Sequence, residues 1–82
     1  LNPGEMYVLL EKLAQMHGIL YGYNPKLEHD DFIYFLKTQY ARKSNANDTT
    51  AREMIRSYIT LLNLIQQNQE TPKEDILYAK LA

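Results

Sequence analysis

At 82 residues, with no cysteine and a formal net charge of −1, the chain is sized for one domain that has no disulfides and no thiolate metal site. A hydrophobic share of 45% with 23% charged residues places it among globular domains and excludes a disordered polyelectrolyte. No apolar run approaches the ~18 residues of a membrane span, and no signal-peptide pattern opens the chain.

Asn2-Pro3-Gly4-Glu5 is a helix-start signal. Asn2 is placed as cap, Pro3 sits where its missing N–H costs nothing, and Glu5 reaches back to the cap N–H. Met6, Leu9, Leu10, Leu13, Met16 and Leu20 then recur at i, i+3, i+4, i+7 spacing and predict one buried face of a helix over residues 3–21. Gly18 interrupts that pattern and Gly22 stops it. Asn24-Pro25 restarts the chain, and Phe32, Phe35, Leu36 and Tyr40 mark a second helix over 30–43. Its first turn holds Glu28, Asp30 and Asp31, and Lys37, Arg42 and Lys43 lie toward its end, both as the helix dipole favours.

Ser44-Asn45-Ala46-Asn47-Asp48 reads as a polar loop. Thr50 and Glu53 form a capping pair, with Asp48 as a competing cap, for a third helix over 50–67. Met54, Ile55, Tyr58, Leu61, Leu62 and Ile65 give it the cleanest amphipathic pattern in the chain. Thr71, Pro72 and Glu74 start a fourth helix over 72–81, carrying Ile76, Leu77 and Leu81. The fold class predicted is all-α, a compact bundle of four helices with short connections and Leu13, Leu36, Tyr58, Leu62 and Ile65 in its core.

Enzymatic constellations are nearly absent. His17, His29, Ser44 and Ser57 carry no surrounding motif, and no phosphate-binding glycine loop occurs. Glu28-His29-Asp30-Asp31 has metal-ligand chemistry, but adjacent helical residues do not converge on one point. The expectation is therefore no enzyme, no metal and no cofactor, with His17 a satisfied histidine at the core edge.

Charge is more informative. Residues 1–36 carry Lys12 and Lys26 against Glu5, Glu11, Glu28, Asp30 and Asp31. Residues 37–56 carry Lys37, Arg42, Lys43, Arg52 and Arg56 against Asp48 and Glu53, a basic island. Opposite the apolar face of the third helix run Arg52, Arg56, Thr60, Asn63 and Gln67, all able to donate hydrogen bonds. With its threonine cap, Arg, Tyr and leucine ladder, that helix resembles second helices of helix-turn-helix modules and helical core-binding domains of tyrosine recombinases. The resemblance covers about a fifth of the chain, and residues 44–48 are longer than the usual ~3 to 4-residue helix-turn-helix connection.

Seven tyrosines and no tryptophan suit sites with one dry and one wet side, and Tyr21 and Tyr23 bracket Gly22 where one should project outward. The reading is a non-enzymatic bundle that binds a protein partner as a regulatory, adaptor or immunity-type factor. The alternative is nucleic-acid binding through the third helix and the basic loop before it. Candidate binding residues are Lys37, Arg42, Lys43, Arg52, Arg56, Asn63, Gln67, Tyr21 and Tyr23. A cysteine-free chain fits a reducing, cytoplasmic setting. It begins at Leu1, which fits a processed protein or a piece of a longer one.

Overall fold

The computed structural model describes residues 2–43 and 51–81, the side chains of residues 42 and 43 excepted. These residues form α1 (Pro3–Tyr21), α2 (His29–Lys43), α3 (Ala51–Gln67) and α4 (Lys73–Leu81), with no strand among them. The helices close a ring in which α1 and α4 each pack on both α2 and α3, so the bundle is all-α as the patterning predicts. The expected caps Asp48 and Thr50 and the loop 44–48 lie outside the described residues.

The start of α1 is the expected capping box. Asn2 Oδ1 accepts the Glu5 N–H at 2.8 Å, and Glu5 Oε1 accepts the Asn2 N–H at 3.1 Å. Gly22 ends the helix in the left-handed region at φ 67°, where a side chain would be strained. Gly18 does not interrupt α1. It is buried, and a Cβ there would lie 2.8 Å from the Tyr23 carbonyl oxygen and 3.1 Å from Pro25 Cδ. The glycine lets the connection after α1 fold back directly onto the helix.

That connection ends on an electrostatic knot. Asp31 Oδ2 accepts the Glu28 N–H at 2.8 Å and caps α2. It also accepts from Lys73 Nζ at 2.6 Å, while Lys73 donates to the Lys26 carbonyl as well. The start of α4 is thereby tied to the start of α2. α4 begins at Lys73, with the Pro72 carbonyl accepting from Ile76 N–H at 3.4 Å. The cap is therefore Pro72 and not Thr71, because the first helical bond of α4 is accepted by the Pro72 carbonyl.

The core is centred on Leu10, Phe35, Tyr58, Leu61, Leu62 and Leu77, each at most 1% exposed. The Tyr58 hydroxyl donates to the Leu10 carbonyl at 2.9 Å, tying α3 to α1, and burial pushes its pKa up. Leu36, Tyr58, Leu62 and Ile65 are buried as expected, but Leu13 is only half-buried. The reason is the face α1 presents. Met6, Leu10, Ala14, His17 and Gly18 go inward, because the small residues at 14 and 18 admit the returning chain. The leucine side is turned outward instead, leaving Met16 63% and Leu20 74% exposed.

Candidate partner-binding groove

That turn of α1 creates an apolar surface feature. Leu13, Met16 and Leu20 share one side of the helix and, with Ile19, His17 and Ile59 of α3, line an open groove whose wall is almost wholly apolar. The last turn and a half of α1 is apolar nearly all round, with Ile19 at 83% and Tyr21 at 51% exposure. One helix cannot bury so much against a single neighbouring layer, so part of it faces solvent.

The other wall is the side of α3 that carries the candidate arginines. Arg52 and Arg56 precede Ile59 by seven and three residues, on the same stripe, and both are exposed. Among the described residues neither has an ion-pair partner within 4.0 Å, since the salt bridges there join Lys73 to Glu28 and Asp31. Asn63, one turn beyond Ile59, meets His17.

His17 lines the groove at 7% exposure. Its Nε2 lies 2.7 Å from Asn63 Oδ1 and its Nδ1 2.5 Å from the Tyr23 hydroxyl. The amide oxygen can only accept, so Nε2 carries a proton, and in the neutral ring Nδ1 accepts the Tyr23 O–H. The ring of Tyr21 lies tilted against the imidazole at 4.6 Å between centroids, and that of Tyr23 meets it edge-on at 5.5 Å. Burial, with Tyr21 adding a smaller contribution, raises the Tyr23 pKa. With both nitrogens bonded, His17 is a structural histidine at the core edge.

The candidate residues thus separate. Arg52 and Arg56 are exposed on the stripe of α3 that leads to Ile59, and the exposed ring of Tyr21 lies against His17. Asn63 Oδ1 and the Tyr23 hydroxyl are bonded to His17. Gln67 is exposed at the end of α3, and Lys37 is exposed on α2 with no described contact to the groove. The side chains of Arg42 and Lys43 lie outside the described residues. Met16, Ile19, Leu20 and Ile59 were not among the sequence candidates; the signal was the excess of apolar residues around α1. Of the Glu28–Asp31 run, His29 Nδ1 lies 2.8 Å from the Tyr7 hydroxyl and Asp31 is paired with Lys73. No three His, Asp or Glu side chains among the described residues could share a metal ion.

Residues 1–80 match the family model of BREX system ATP-binding protein BrxC/D, and the chain belongs to that family. No curated protein and no solved structure matches it. A nucleotide triphosphate needs a cradle of backbone N–H groups at a helix start, usually glycine-rich and with a lysine beside it. Here the α1 start is closed by its own Asn2–Glu5 box, and the α2 start by Asp31. The first turns of α3 and α4 carry Glu53, and Glu74 with Asp75. The glycines lie within α1 or at its end. The described residues do not fit the phosphates of a nucleotide.

Proposed function

We propose that this BrxC/D-family chain is a non-enzymatic helical component of a phage-defence system, acting by holding a protein partner in the groove between α1 and α3. The carrying observation is the run of exposed apolar side chains Met16, Ile19 and Leu20 beside half-buried Leu13 and Ile59. Contiguous apolar surface of this kind marks an interaction site on a soluble domain. The nucleotide named in the family description is then held by residues other than these, and the helices serve assembly instead of phosphate chemistry. A cytoplasmic setting accompanies this reading, on the cysteine-free composition.

The test is co-purification of the other BREX components with the tagged chain, wild type against Leu20→Asp. Because Leu20 is 74% exposed, the variant should keep the wild-type melting temperature within a few degrees. Wild type is expected to retain a component that Leu20→Asp loses. Equal retention by the two would refute the groove. A second reading rests on the exposed Arg52 and Arg56, which have no ion-pair partner among the described residues and suit nucleic-acid phosphates. Steeply salt-dependent binding to random duplex DNA, lost on Arg52→Ala with Arg56→Ala, would favour it.

A further inference from the structure

The charges around the groove identify the kind of partner, and this inference rests on the docking function just proposed. We infer that the groove takes an amphipathic helix whose apolar stripe is edged by acidic side chains. A groove between two helices, walled by Leu13, Met16 and Leu20 on one side and Ile59 on the other, has the shape of a seat for a third helix. Such a helix anchors by residues at i, i+3, i+4 and i+7.

The rim sets the polarity of what lies beside those anchors. Lys12 precedes Met16 by one turn of α1, and Arg52 and Arg56 precede Ile59 on α3; all three cations are exposed. The acids of these helices lie away from the apolar wall. Glu11 lines the opposite side of α1 together with Ala14 and Gly18, and Glu5 is held in the α1 capping box. Glu53 stands six residues from Ile59, about 120° around α3. Cations at the edge of an apolar cleft attract carboxylates strongly, and an arginine pair binds them in bidentate fashion.

The same rim argues against other occupants. A basic helix would bring like charge onto it, which costs affinity and suppresses wrong partners. A second copy docked face to face about a two-fold axis would oppose the cationic rim to itself. A nucleic-acid backbone would satisfy the arginines but leave Met16 and Leu20 uncovered.

Fluorescence anisotropy with two labelled helix-forming peptides tests this. Both carry the same leucine stripe, one flanked by glutamates and the other by lysines. The glutamate peptide is expected to bind about ten-fold tighter at low salt, as suits a charge-selected interface. The charge reversal Arg52→Glu with Arg56→Glu should invert that order, and Leu20→Asp should abolish binding of both. Equal affinities, or an order unchanged by the reversal, would overturn the inference. So would a dimer of the chain in light scattering that Leu20→Asp dissociates. If the peptides bind alike while Leu20→Asp still loses the co-purified component, the acidic-helix inference fails and the docking function stands. If Leu20→Asp retains that component, the docking function itself fails.

Discussion

Gly18→Ala isolates the contact on which the orientation of α1 depends. In an open helix interior the change stabilises by about 1 kcal/mol, because alanine loses less backbone entropy than glycine. Here the new methyl would sit 2.8 Å from the Tyr23 carbonyl oxygen and 3.1 Å from Pro25 Cδ. The first is backbone and the second a ring atom, so neither can rotate away and the connection must lift off α1. Overpacking of this kind costs about 1 to 3 kcal/mol. Lifting Tyr23 also withdraws its hydroxyl from His17 Nδ1, a further loss of about 1 kcal/mol. The net expectation is a loss of roughly 1 to 3 kcal/mol, since the propensity gain offsets part of the total. For a domain of this size that lowers Tm by about 5 to 20 °C. Gly4→Ala is the control. Its nearest neighbour would be Asn2 Oδ1 at 3.4 Å, an ordinary contact, so Tm should hold or rise. Thermal melts by circular dichroism read both. Gly18→Ala melting at or above wild type would refute the close crossing.

Three other substitutions probe the remaining supports. Leu62→Ala, at a side chain with 0% exposure, should cost about 2 to 5 kcal/mol in urea unfolding, and a wild-type midpoint would remove Leu62 from the core. Lys73→Met leaves the buried Asp31 carboxylate without its cation and should cost about 3 kcal/mol; an unchanged Tm would show that the α2–α4 tie contributes nothing. Tyr58→Phe removes the hydroxyl bond to the Leu10 carbonyl, which keeps its helical partner, and should cost about 0.5 to 1.5 kcal/mol at neutral pH. Its pH dependence has a definite sign. Burial raises the folded Tyr58 pKa above the unfolded value near 10, so the neutral phenol's contribution is complete below about pH 10 and is lost as pH climbs beyond it. The gap between wild type and Tyr58→Phe should therefore narrow above about pH 10, and a constant gap would contradict the burial of the phenol.

How far the fold could be read in advance varies from helix to helix. α3 was legible because its apolar residues recur on one face only, and Met54, Tyr58, Leu61, Leu62 and Ile65 are buried as that pattern requires. α1 offered too much apolar surface for periodicity to choose among its faces. The choice was made by Ala14 and Gly18, whose small size admits the chain after Gly22, a tertiary effect invisible in the spacing of leucines. Hence Leu13 came to the rim and Met16 and Leu20 to solvent. The arginine stripe of α3 was readable, but its placement beside an apolar groove was not, because that depends on how α1 turns. The pairing of His17 with Asn63, 46 residues apart, likewise has no local signature.

The groove is tested most directly by methyl NMR of the chain bound to the BREX component retained in co-purification. Shift changes and intermolecular contacts should concentrate on Leu13, Met16, Ile19, Leu20 and Ile59, the residues that wall the groove. The methyls of Leu64, Ile76 and Ala79, which line the cleft between α3 and α4, should stay unperturbed. Perturbation centred on that second cleft, with the α1 methyls unchanged, would contradict partner binding at the α1–α3 groove.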